Sequence, residues 1–368
     1  MPCPPPARYV VLDFARFVAA AGIVVYHYEN HFQPFLGMQA GLLESFHLFV
    51  DFFFVLSGFV MMKTYGHTLV SWHVFSVFLQ KRLARVYPLH LAVTLVFVVG
   101  GLLIARLHLP MRHPETFDLS LTLPTLLLVQ AWGTVDHAGL NFPSWSISAE
   151  LFVYLLYPVF ALALLRLKAW PSLALAAALA IALHFGANAL GLLPWTGWTF
   201  DFGHFRAVPS FFAGMAINIL VSRPAVRATG WWLPCGLAAL ILAMMLARAP
   251  DLAIIALFPA LIFLMARAEA FAPPAYKTRR VFERLGDVSF GIYMLHSLVA
   301  IAVVALVRAS GLTSPPWLAL FAVLGTAATL AIAMPVYRRF EMPARRQLSR
   351  PLARRPAAAS QQSQLAGE

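Results

Sequence analysis

Ten apolar runs, each close to the roughly 20 residues a helix needs to cross about 30 Å of hydrocarbon, divide this 368-residue chain almost from end to end. They lie near 9–28, 46–63, 86–107, 147–167, 171–191, 205–222, 231–248, 251–267, 288–308 and 316–337. The expected fold is all-α, a polytopic transmembrane helix bundle of about ten spans. Composition agrees with the membrane class: 61% of residues are hydrophobic and 11% charged, whereas soluble domains are about 25% charged. Residues 1–343 read as one transmembrane domain, and 344–368, rich in Arg, Pro, Ala and Gln, as a disordered basic cytoplasmic tail.

Charge sets the topology. An excess of Lys and Arg on a membrane protein marks cytoplasmic loops, so the formal net charge of +12 points to membrane lipid and gives no reason to expect a nucleic-acid partner. With ten crossings and a cytoplasmic N-terminus, five clusters all fall inside: Lys81/Arg82/Arg85, Arg166/Lys168, Arg223/Arg227, Lys277/Arg279/Arg280/Arg284 and Arg338/Arg339/Arg345/Arg346. The short apolar piece 119–133, interrupted by Pro124, would reverse every later cluster if it crossed. It is therefore expected as a half-helix or re-entrant segment, with both chain termini cytoplasmic. A cleavable leader is disfavoured, because Asp13 and Arg16 interrupt the first apolar run. Cys3 and Cys235 make neither a disulfide framework nor a zinc pattern.

Within the first run, Arg16 and His27 are eleven residues apart, which returns a helix almost to its starting face about 16 Å further along. Ionisable groups in lipid are costly, so a cation and an imidazole on one face mark a functional site, unless Arg16 snorkels to a headgroup and His27 caps the helix end. Asp51 opens the second span, either at the headgroup boundary or facing inward, and Ser57 follows mid-run beside Gly58 as a packing or lining residue. Arg82 and Arg85, three residues apart, share a helical face and suit the phosphates of a nucleotide-like cofactor as well as they suit topology. Ser146 and Glu150 share a face at the start of the fourth span, with Trp145 at the interface. Ser289, Tyr293 and His296 form one stripe of the ninth span and look like the lining of a polar cavity. Arg338, Arg339 and Glu341 read as an interfacial ion pair. His27 and His31 have the spacing of two metal ligands, but no third ligand follows, so no metal is expected.

The motifs Arg16 with ten residues before His27, VDFFFVLSGF, RLARVYP, WSISAE, SFGIYMLH and RRFEMP run in order from about residue 9 to 343. Together they resemble the acyltransferase family 3 of integral membrane proteins. The resemblance implies transfer of an acyl group, commonly acetyl, from acyl-CoA as co-substrate to a hydroxyl of a carbohydrate or other acceptor, here a cell-surface glycan at a bacterial inner membrane. In that scheme His27 is the general base, Glu150 orients it, and Arg16 binds a donor phosphate or a developing negative charge. Arg82 and Arg85 hold coenzyme A phosphates, while Asp51, Ser57, Trp145, Ser146, Ser289, Tyr293 and His296 line the substrate path. A secondary transporter or flippase would use similar intramembrane charges, and a small secreted metabolite is the alternative acceptor.

Overall fold

The computed structural model describes residues 8–36, 43–66, 72–111, 113–223 and 230–350. Cys3, Arg227 and the tail beyond 350 lie outside them. Every apolar run forms a helix. The long ones are α1 (Val10–Leu36), α2 (Phe49–Tyr65) and α3 (Trp72–Leu107). A five-residue helix, α4 (Thr122–Leu126), precedes the pair α5 (Trp145–Leu155) and α6 (Tyr157–Leu167). Then follow α7 (Ala169–Ala189), α8 (Gly203–Val221), α9 (Trp232–Leu246), α10 (Asp251–Phe271), α11 (Tyr276–Ser310), α12 (Pro315–Val336) and α13 (Met342–Leu348).

Eight of these segments are long and apolar enough to cross a membrane on their own. The expected fourth span is instead a broken one, with α5 and α6 bent by 54°. The cause is Pro158 in the first turn of α6, which lacks an amide donor and cannot continue the preceding helix. The expected seventh span is α9, whose 15 residues rise only about 22 Å. Its ends are nevertheless tied to opposite ends of the bundle. Trp231 Nε1 donates to the Ala272 carbonyl at one end, while Asp251, just past the other end of α9, accepts from Thr196 Oγ1 at 2.7 Å. Among the described residues, eight helices and the bent pair are long and apolar enough to cross, α9 being the short exception, and the described termini share one end, where Gln80 Nε2 donates to the carbonyls of Leu348 and Arg350.

The segment 119–133 does not cross. A 3₁₀ turn (Leu119–Leu121) and α4 enter and stop at the end opposite the termini. Their freed carbonyls find partners on α3: the half-buried Tyr87 donates to Leu126 at 3.1 Å and the buried His90 Nε2 to Thr125 at 2.9 Å. That supply of donors is what makes irregular backbone tolerable there. The tail boundary needs correction. Residues 344–348 are helical in α13, which packs on α3 and carries Arg345 against the bundle.

Two features fix α1 and α2 where the chemistry sits. The first orphan amides of α1, Val10 and Val11, donate to the Glu269 carboxylate on α10 at 2.8 and 2.9 Å. A carboxylate there also suits the positive end of the helix dipole. The α2–α8 crossing is closer still: a Cβ on Gly58 would overlap the Phe211 carbonyl, and one on Gly214 would overlap the Val55 carbonyl. Beside this contact Asp51 is fully buried, paired with Arg206 of α8 through Nη2 at 2.6 Å and Nε at 3.2 Å.

Candidate active site

An inner cavity of about 120 Å³ lies between α1, α2, α3, α5 and α11. Its polar lining is Arg16, Ser57, Arg82, Arg85, Glu150 and Tyr154, with Ser146, Ser289 and Tyr293 further along; Phe53, Phe54, Leu56 and Met61 supply an apolar wall. Arg16, Arg85, Val60 and Phe290 also line a second, wider cavity of about 440 Å³ at the end that holds the termini. This vestibule adds Arg8, Lys63, Asp287, Glu341 and Arg345. A broad cationic mouth therefore leads into a narrow, mostly apolar slot.

The slot has two polar centres. In the first, Glu150 Oε1 accepts from Ser57 Oγ in a short contact and from Tyr154 OH at 2.5 Å. Arg82 stacks over the Tyr65 ring, 5.6 Å from its centre, and leaves its buried Nε without a partner among the described residues. Arg85 makes no hydrogen bond or ion pair with any described residue. Arg16 shares the Asp13 carboxylate with Arg8, at 3.3 Å from Nη1, and Arg8 reaches on to Asp287 at 2.8 Å. Cations thus outnumber partnered acids around the entrance, a field suited to an anion.

In the second centre, Tyr293 OH donates to the Pro143 carbonyl at 2.9 Å and accepts from Ser146 Oγ at 2.8 Å. One turn on, His296 Nδ1 lies 2.6 Å from the Tyr293 carbonyl. A carbonyl only accepts, so Nδ1 carries the proton and Nε2 keeps its lone pair. The His27 ring stacks on His296 with centres 5.0 Å apart and meets the edge of Phe142 at 5.7 Å.

Of the residues singled out in the sequence, Arg16, Ser57, Arg82, Arg85, Ser146, Glu150, Ser289 and Tyr293 come together on one cavity. Four expectations need correction. His27 and His296 are not among the residues that line this cavity or the vestibule. Glu150 does not orient His27. Its oxygen is taken by Ser57 and Tyr154, and the imidazole lies beside His296, beyond the Ser146–Tyr293 contact. Asp51 does not face the cavity, because the Arg206 guanidinium occupies both its oxygens. Trp145 is neither at an interface nor on the slot. It is buried, packed under Arg206 at 5.3 Å and against Phe54.

Two further residues partner those singled out, Tyr154 with Glu150 and Arg206 with Asp51. Tyr154 lies one helical turn after Glu150, a spacing that could have flagged it. Arg206 is an ionisable residue within the sixth apolar run and demands a buried partner, which Asp51 supplies.

A sequence model described as an acyltransferase domain matches residues 9–338, nearly the whole chain. The chain belongs to acyltransferase family 3. It is an integral membrane acyltransferase, and the helical bundle is the domain that the family match spans. Among curated proteins, it is 34% identical over 164 residues to "Protein 2 in picA locus" of Rhizobium radiobacter, covering 42% of this chain and 82% of that one. It is 32% identical over 164 residues to "Acyltransferase MdmB" of Streptomyces mycarofaciens, covering 41% of this chain and 39% of that relative. No solved structure gives a significant match.

Proposed function

We propose that this acyltransferase moves an acyl group, acetyl in the simplest case, from acyl-CoA to a hydroxyl of a carbohydrate acceptor, a cell-surface or exported glycan. The single observation that carries this reading is the shape and charge of the paired cavities. A cationic vestibule narrows into a mostly apolar slot lined by Ser146 and Tyr293, and the stacked histidines His27 and His296 follow one turn beyond Tyr293. Acyl-CoA has the same division: a phosphorylated nucleotide, then a slender arm ending in the thioester. Arg82 and Arg85 bind phosphate, and Arg16 at the junction binds phosphate or a developing negative charge.

At the far end, His27 accepts the acceptor's hydroxyl proton as the alcohol oxygen attacks the thioester carbon. The tetrahedral intermediate collapses, the carbon–sulfur bond breaks, and the coenzyme thiolate takes the proton back from the imidazolium. Ser146 and Tyr293 line the path there, and His296, held through Nδ1 by the Tyr293 carbonyl, supports the His27 ring. Glu150, held by Ser57 and Tyr154, balances the arginines of the slot and so positions them.

The end holding the termini is cytoplasmic in this reading, which puts the donor on the side where acyl-CoA is made and leaves the histidine end facing the exported acceptor. The basic residues at that end and the bacterial relatives support placement in a bacterial inner membrane. Mass spectrometry of ester-linked acetyl groups on glycans from cells with and without the protein tests the assignment. Identical acetylation in both would reject it.

A further inference from the structure

The closing RRFEMP motif reads from sequence as an interfacial ion pair, and the fold separates its members. Arg338 and Arg339 are exposed, whereas Glu341 is 8% exposed and forms no ion pair with any described residue. Its Oε1 is buried with no hydrogen-bond partner among the described residues. A buried carboxylate oxygen without a donor is among the costlier defects a fold can carry, and a missing ligand is one of the few physical reasons to keep it.

The backbone sets Glu341 apart as well. Residues Tyr337–Glu341 form a π-helical turn between α12 and α13. Such turns are rare and concentrate at functional sites, because the inserted residue re-aims a side chain that regular helix would direct elsewhere. Here Glu341 lines the vestibule, and its Oε1 lies so close to Gly291 that a Cβ there would sit 2.9 Å from it. Gly291 adjoins Phe290, which lines both cavities. Glu341 therefore lines the cavity of about 440 Å³ beside the helix that carries Phe290, one of the four residues through which it joins the cavity of about 120 Å³.

The other acids lining the vestibule are already engaged: Asp13 by Arg8 and Arg16, and Asp287 by Arg8. Glu341 alone among the described lining residues offers a buried oxygen with nothing bound to it. An acceptor-only carboxylate repels phosphate and takes N–H or O–H donors. The part of acyl-CoA slender enough to pass from the wider cavity into the narrower is the pantetheine arm, whose two secondary amides each carry one N–H. We infer that Glu341 accepts a hydrogen bond from an amide N–H of the donor's pantetheine arm, gauging the arm as it passes inward; this rests on the acyl-CoA reading above.

The test uses the full chain in nanodiscs with three donors: acetyl-CoA, acetylpantetheine, and acetyl-CoA with N-methylated arm amides. Glu341→Leu raises the apparent KM of acetyl-CoA and of acetylpantetheine by the same factor, roughly ten- to hundredfold, with kcat little changed and no fall in melting temperature. The N-methylated donor loses that factor with the unmodified protein and loses nothing further with Glu341→Leu, while Glu341→Gln, which keeps an acceptor oxygen, recovers part of it. An unchanged KM for acetylpantetheine, or a lowered melting temperature with unchanged KM, overturns the inference while the donor reading stands. Failure of the unmodified protein to bind acetyl-CoA at all overturns both.

Discussion

His27 on α1 and His296 on α11 stack ring on ring, with centres 5.0 Å apart and planes 23° from parallel. The pair lies at the far end of α1 from Arg16, so one helix carries the entrance cation and the proposed base. His296 is held by its own helix through Nδ1. Replacing it by Ala removes the support on which the His27 ring lies without touching the vestibule. His296→Ala is expected to lower kcat more than tenfold with the KM for acyl-CoA unchanged, measured by steady-state kinetics.

Arg82 within the slot and Arg85 at its junction with the vestibule serve donor binding in the proposed reaction. Arg82→Ala combined with Arg85→Ala is expected to raise the apparent KM for acetyl-CoA roughly ten- to hundredfold, since a hydrogen bond to a charged group contributes about 1.5–3 kcal/mol. Acetylpantetheine, which lacks the nucleotide, should be turned over as before. An equal loss with both donors would remove the phosphate role.

The Asp51–Arg206 pair is structural. Asp51→Ala strands a fully buried guanidinium and is expected to destabilise the bundle by about 3–5 kcal/mol, read as a fall in thermal midpoint in detergent. Replacing both residues by Leu should restore most of that loss. If Asp51→Ala melts normally, the pair is not what holds α2 to α8.

Outside the membrane, His137 bridges Asp118 at 3.0 Å and Asp136 at 2.6 Å in the segment that follows α4. The hydrogen bond to Asp136, and then the charges of both carboxylates, hold the imidazole above its usual pKa. A raised folded pKa means that the protonated form favours the folded loop. The contribution is full below about pH 6.5 and is lost as pH rises through the folded value. Hydrogen-exchange protection of residues 113–139, corrected for intrinsic rates, should fall over that window, and His137→Ala should flatten the profile. Equal protection on both sides of the window would contradict this.

Much of this arrangement is legible in the chain itself. The apolar runs foretell the long helices, because hydrocarbon thickness acts on composition alone, while the run at 231–248 forms a helix too short to count by length. Helical spacing likewise puts Ser289, Tyr293 and His296 on one stripe and Ser146 one turn from Glu150. Partners across helices are another matter. Glu150 could be matched to any intramembrane donor, and only the closeness of α2 to α5 gives it to Ser57 rather than to His27. Asp51 has the look of a lining residue until α8 brings Arg206 to it, at a crossing that Gly58 and Gly214 permit. The π-turn that buries Glu341 has no signature at all in the spacing of RRFEMP.

In the proposed reaction His27 is the group that takes the acceptor's proton. The direct measurement is single-turnover transfer of labelled acetyl from acetyl-CoA to the glycan acceptor by His27→Ala in nanodiscs, alongside the Kd for acetyl-CoA. A loss of about 10²- to 10⁴-fold in the transfer rate, with donor affinity and melting temperature unchanged, is the predicted result. Transfer at the unmodified rate would contradict it.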